Sequence, residues 1–236
     1  MSSPALNEKV WNRIDGQVTQ DTMTMEGTIN KSGILILLTM FGAYIGWTLQ
    51  SPAIMIGALI VNLVLCLFII FKPHTATYLS QPYAVIEGLL LGTISAVYAA
   101  QYPGIVTNTL FATISCFVLM LALYRFRIVQ VTEKLRSIVM VATGAIALTY
   151  VANMVMGFFG SSMPMIHQAS PMGIAFSVIV TGVAAFNLLL DFDMIEQAHA
   201  RKAPKFMEWY CGFALLVTLV WLYIEMLRLM SKLNKK

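Results

Sequence analysis

The chain has 236 residues, 58% of them hydrophobic and only 11% charged, with a formal net charge of +4 and a mean hydropathy of +0.77. A soluble domain carries roughly 25% charged residues, so a soluble fold of this size would lack the charge to cover its own surface, and bilayer hydrocarbon must stand where water would. The positive balance does not point to nucleic acid, because the basic loops carry no interleaved aromatics.

Residues 1–31 are polar and mixed in charge. They are expected to form a cytoplasmic tail, with Trp11 and Ile14 as its contacts with the membrane surface, and they do not resemble a cleavable signal peptide. Seven apolar runs follow, at about 32–50, 53–71, 82–101, 104–124, 135–159, 171–191 and 208–230. Each approaches the roughly 20 residues that cross about 30 Å of hydrocarbon at about 1.5 Å per residue. Backbone groups in lipid must be satisfied within the segment, so each run is predicted to be a helix. The alternating polarity of a membrane strand is absent.

The connections alternate in character. Three lack lysine and arginine: Gln50-Ser51-Pro52, Gln101-Tyr102-Pro103-Gly104, and Gly160 to Pro171. Each brings a proline to the next helix start, where the missing N–H costs nothing. The others are basic. Lys72, then Arg125, Arg127, Lys134 and Arg136, then Arg201, Lys202 and Lys205 join Lys9, Arg13 and Lys31 of the tail, which makes eleven of the fifteen basic residues. The positive-inside rule puts that side in the cytoplasm. The expected architecture is three helical hairpins with tight outer turns and an unpaired last helix. Arg228, Lys232, Lys235 and Lys236 resist this, because seven spans would put them outside.

Ionisable side chains within membrane helices are costly and mark sites by default. Glu87 lies inside the third run, and a central carboxylate costs roughly 2.5–3.5 kcal/mol on insertion scales. Gly88 and Gly92 beside it form a small-xxx-small pair that admits a close helix neighbour. Packing and function are equally good accounts of Glu87. Asp191 and Asp193 close the sixth run, where their i,i+2 spacing turns at most one of them to the core seam. Asp191 is the deeper, and a solvated helix end is the plain alternative for both. On the last helix Thr218 and Glu225 share a face, about 10 Å apart along the axis. Glu225 also has Arg228 three residues on, so an intrahelical pair accounts for it simply. Lys72 ends the second run, either snorkelling or pairing with an acid at its depth such as Asp191.

Other chemistry is not indicated. His74, His167 and His199 sit in separate loops without ligand spacing, and Cys66, Cys116 and Cys211 sit in apolar runs as structural thiols. No phosphate loop, dinucleotide fingerprint, nucleophile elbow or His-Glu-x-x-His motif occurs. No enzyme and no cofactor is expected.

Several segments together resemble the Bax inhibitor-1 family, and most closely its bacterial YccA-like branch. They are Met25-Glu26-Gly27-Thr28-Ile29-Asn30-Lys31, then Ile86-Glu87-Gly88-Leu89-Leu90-Leu91-Gly92 with Ile94-Ser95. Asn187-Leu188-Leu189-Leu190-Asp191-Phe192 follows, and then Val217-Thr218-Leu219-Val220-Trp221-Leu222-Tyr223-Ile224-Glu225-Met226-Leu227-Arg228. The resemblance covers nearly all of the chain after residue 25. It implies an all-α membrane protein in which three hairpins wrap a central C-terminal helix. It also implies a pH-sensitive calcium leak, sensed by one aspartate late in the sixth helix and another midway along the seventh, with a basic residue closing the second helix as a latch. Asp191 matches the first aspartate, and Lys72 matches the latch, as lysine where arginine is usual. The second aspartate falls on Thr218, which cannot ionise.

A different carboxylate is therefore expected to complete the sensor, first Glu87 and then Glu225, with a proton shared between it and Asp191. Calcium, an oxygen-seeking cation, would bind the deprotonated Asp191 and Glu87. The function expected is a calcium-permeable leak of the bacterial inner membrane with a cytoplasmic N-terminus. The alternative is a non-conducting regulator that binds a membrane protease or insertion machinery through residues 1–25.

Overall fold

The computed structural model describes residues 22–159 and 168–235. Trp11, Ile14 and His167 lie outside them, as does most of the Gly160 to Pro171 connection. Every apolar run is a helix: α1 (Met25–Leu49), α2 (Pro52–Phe71), α3 (Ala76–Gln101), α4 (Ile105–Arg125), α5 (Glu133–Phe158), α6 (Pro171–Ala200) and α7 (Met207–Asn234). No strand occurs among the described residues, in which Thr22 and Pro204 form an isolated bridge. All seven helices are long and apolar enough to cross a membrane. The chain is an all-α, multi-pass membrane protein.

The helices outrun the apolar runs, mostly at the basic ends. α1 begins at Met25 because Thr24 is a true N-cap, its hydroxyl accepting from the Gly27 N–H at 3.0 Å, with Glu26 in the first turn. α3 begins at Ala76 and carries Pro82 inside it. Its polar first turns close on themselves, Ser80 Oγ donating to the Ala76 carbonyl at 2.6 Å and Gln81 Nε2 to the Thr77 carbonyl at 2.9 Å. α6 continues nine residues past Asp191, to Ala200. Hydropathy marks the part of a helix that meets lipid, whereas capping and local hydrogen bonds decide where the helix ends. The short turns without basic residues follow the expected economy. Pro52 is the first residue of α2, and Gly104 takes a left-handed φ of 79° ahead of α4.

The chain divides into two compact units. One holds residues 22–101 and 191–220, that is α1, α2, α3, the end of α6 and the start of α7. Within it α1 packs closely against α3. A Cβ added at Gly42 or Gly46 would run into the carbonyls of Val85 or Leu89, and one at Gly88 or Gly92 into those of Thr39 or Ala43. The backbones themselves are in contact, the use expected of small residues in membrane helices. Thr93 Oγ1 adds a bond across the seam to the Gly46 carbonyl at 3.2 Å. The other unit holds residues 102–159, 168–190 and 221–235, comprising α4, α5, the start of α6 and the end of α7.

Burial ranks the helices. Half of the apolar stretch of α7 is buried, against 44% for α3 and for α6 and 11% for α2 and for α5. The last helix is thus the most enclosed of the seven over its apolar stretch.

Candidate functional site

Asp191 lies within α6, not at its end. The solvated-helix-end reading fails because the helix runs on through Phe192, Met194 and Ile195, all buried. The carboxyl meets the Thr218 hydroxyl of α7, and Thr218 is itself 8% exposed. Oδ2 of Asp191 is buried and has no hydrogen-bond partner among the described residues. The Cys211 thiol, fully buried, is a further neighbour of the carboxyl.

The hydroxyl of Thr218 has one proton and two acceptors within reach. One is the Ala214 carbonyl of its own helix, at 3.3 Å, and the other is the Asp191 carboxylate. With Asp191 ionised, the hydroxyl can serve only one of them at a time. With Asp191 protonated, its O–H donates to Thr218 Oγ1, and the hydroxyl is left free to donate to Ala214. The pair thus has two hydrogen-bond arrangements, one for each protonation state. Asp193 is also interior to α6, and it accepts from Gln197 Nε2 one turn on, at 2.6 Å.

Glu87 does not join Asp191. Its carboxylate accepts from Asn62 Nδ2 of α2 and from the Tyr83 hydroxyl one turn earlier on α3. The expected Glu87–Asp191 carboxylate pair is therefore not formed, because each carboxyl has its own partners. Asn62 is 5% exposed on the most apolar of the helices, and its Oδ1 finds no partner among the described residues. Lys72 also stays apart from Asp191. Its ammonium, exposed at the end of α2, lies over the Phe68 ring at 5.6 Å from the centroid, which is the snorkelling arrangement and not the latch.

Glu225 belongs to the second unit and is 1% exposed. It accepts from Arg228 Nη1 at 3.0 and 3.1 Å and from the Tyr150 hydroxyl of α5 at 2.8 Å. The guanidinium also stacks over the Tyr150 ring at 4.9 Å and donates to its hydroxyl. The intrahelical pair is the correct account of Glu225, and no described interaction links it to Asp191. Lys232, one turn further along α7, is 2% exposed and donates to the Gly173 carbonyl at 2.9 Å and to Ser177 Oγ at 2.8 Å. Two of the four basic residues that resisted a seven-span topology are thus internal ligands and not loop charges.

Sequence reasoning missed Glu208, which is 0% exposed at the start of α7. Its carboxylate accepts from the Thr24 N–H at 2.8 Å, from the Thr24 hydroxyl at 3.1 Å and from Lys31 Nζ. A Cβ on Gly27 would collide with this carboxylate, which explains the glycine in the Met25-Glu26-Gly27-Thr28 segment. The preceding residues are tied to the same place. Met23, 1% exposed, donates its N–H to the Ala203 carbonyl at 2.8 Å, and its own carbonyl lies 3.4 Å from His199 Nδ1. The available signal was Glu208 with Lys31, an acid and a base at the ends of two apolar runs.

Seven membrane helices with interior carboxyls in the third, sixth and seventh define a polytopic membrane protein that carries internal ionisable groups. The chain belongs to the Bax inhibitor 1 like family, whose family model matches residues 3–235. No curated protein matches it.

Proposed function

We propose that the protein is a calcium-permeable leak of the bacterial inner membrane, of the YccA-like branch, whose opening is set by protonation of Asp191 against Thr218. The observation that carries this reading is the buried Oδ2 of Asp191, which has no hydrogen-bond partner among the described residues. A carboxyl oxygen in that position is satisfied in two ways, by a proton or by a cation arriving from outside the site. Competition between the two at one oxygen couples cation passage to pH without a second carboxylate. Thr218 supplies the neutral partner that lets Asp191 exchange one state for the other. Family membership supports the calcium assignment, and the inward-facing Arg228 and Lys232 support a C-terminus opposite a cytoplasmic N-terminus.

Calcium flux into liposomes of the purified protein, read between about pH 6 and about pH 8, tests this. Asp191→Asn should remove the pH response, while Glu87→Gln should leave most of it. A pH response that survives Asp191→Asn would overturn the assignment. The regulator reading draws support from the anchoring of Met23 and Thr24 on the α6–α7 turn and on Glu208, which fixes where the preceding residues leave the membrane domain. Removal of residues 1–21 separates the two readings: a leak keeps its flux, and a tail-dependent regulator loses its effect on its membrane partner.

A further inference from the structure

The hydrogen bonds around Glu87 do not close. Asn62, 5% exposed near the middle of α2, turns its Nδ2 to Glu87 Oε2, while its Oδ1 has no partner among the described residues. The Tyr83 hydroxyl donates to the same carboxyl. The other groups nearby are a thiol, a ring and a phenol: Cys66 on α2, Phe213 of α7 edge-on to Tyr83 at 4.8 Å, and Tyr210 of α7 close to Cys66. α1 meets this part of α3 with the Thr39 and Ala43 carbonyls, against Gly88 and Gly92. No lysine, arginine or histidine pairs with Glu87 among the described residues. Counting donors and acceptors shows what is missing. An ionised Glu87 offers acceptors only, and so does Asn62 Oδ1. Turning the amide over does not help, because Oδ1 would then face the carboxylate as acceptor against acceptor. One proton on Glu87 removes the difficulty. The acid O–H donates to Oδ1, Nδ2 donates to the other carboxyl oxygen, and the two planar groups close edge to edge. The proton also removes the cost of a charge at mid-membrane, and unlike a metal ion it needs no cavity.

We propose that Glu87 is a proton-binding site separate from Asp191, a carboxylic acid paired with the Asn62 amide that fastens α2 to α3. Of the 20 residues of α2, Asn62 and Ile69 are the buried ones, so the pair sits where this helix has little else to hold it. Loss of the proton sets Oδ1 against a carboxylate and loosens α2 from α3. In the folded protein the proton stays on between about pH 6 and about pH 8, so Glu87 takes no part in the response assigned to Asp191. The site stands whether or not the protein conducts calcium.

The test is infrared spectroscopy and thermal unfolding of the full-length protein. At about pH 7, where a solvated glutamate is ionised, the wild-type spectrum minus that of Glu87→Gln should show the carbonyl stretch of a protonated carboxyl. Added calcium should leave this band in place. Asn62→Leu, which takes away the amide, should shift it. Unfolding exposes Glu87 to water and releases the proton, so the folded state binds one proton more than the unfolded state. Stability from that proton is lost as pH rises, and wild type should fall relative to Glu87→Gln by about 3–5 °C in melting temperature per pH unit between about pH 6 and about pH 8. Asp191 is present in both proteins, so its own titration cancels in the difference. Glutamine supplies the donor and the acceptor of the protonated acid, so Glu87→Gln should fold and should melt no lower than wild type at about pH 8. Absence of the band, or a melting-temperature difference that does not change with pH, would overturn the proposal by showing an ionised Glu87. Failure of Glu87→Gln to fold would overturn it as well. A band that calcium removes would overturn proton occupancy in favour of a cation site, and one that does not shift in Asn62→Leu would overturn the pairing with Asn62.

Discussion

Replacing Gly88 by alanine tests the packing that holds the α1–α3 seam. A Cβ at this position meets the Thr39 carbonyl, its carbon and the Ala43 nitrogen, all backbone atoms that cannot rotate away. The two helices must part by roughly 1 Å, and a gap of about 0.5–1 Å already forfeits roughly a quarter to a half of each dispersion contact along the seam. The Thr93 to Gly46 bond, already at 3.2 Å, would lengthen as well. Overpacking of this kind costs about 1–3 kcal/mol, and a loss of about 2 kcal/mol lowers the melting temperature of a chain this size by about 4–8 °C. The assay is thermal unfolding of the purified protein in detergent, followed by size-exclusion chromatography. The control is Gly182→Ala on α6, where an added Cβ meets nothing within 4 Å. Helix propensity then favours alanine by up to about 1 kcal/mol. The two substitutions are chemically identical and should act with opposite sign. Equal melting temperatures for Gly88→Ala and wild type would refute close backbone contact at the seam.

Three further outcomes follow from the polar groups. Lys31→Met should destabilise by about 3 kcal/mol, the low end for breaking a buried pair because Lys31 retains some solvent contact; adding Glu208→Gln should recover part of this in a double-mutant cycle by thermal unfolding. Tyr150→Phe removes the hydroxyl that Glu225 and Arg228 share and should cost about 1–2 kcal/mol in the same assay. Thr218→Asp places a second carboxyl against Asp191, so the pH profile of calcium flux should change from one step to two, as coupled carboxyls titrate.

Apolar runs long enough to span lipid left seven helices as the natural reading, and Pro52 and Pro171 marked two of their starts. The ends were not legible, since Thr24, Ser80 and Gln81 extend helices through local hydrogen bonds to which hydropathy is blind. Gly88 and Gly92 could be read as a close-approach pair because small residues four apart have few other uses in lipid. The alignment of Thr218 with the expected second carboxyl was legible from the motif, and the structure places that threonine against Asp191. The partners of Glu87 were not legible. Nothing in the spacing of the chain says that Asn62 and Glu87, on different helices, converge. Glu208 was overlooked for the same reason: its partners Thr24 and Lys31 come from the opposite end of the sequence. One-dimensional patterns report which face of a helix is polar, and only the packed helices determine which polar groups meet.

Protonation of the Asp191 carboxyl and its displacement by calcium can be observed directly by infrared difference spectroscopy of the reconstituted protein, through the carbonyl stretch of the protonated acid. The expected result is a protonated-carboxyl band at low pH that Asp191→Asn abolishes and that added calcium diminishes. A calcium-sensitive band that persists in Asp191→Asn, or a wild-type band that calcium leaves untouched at every pH, would contradict a single carboxyl shared between proton and cation.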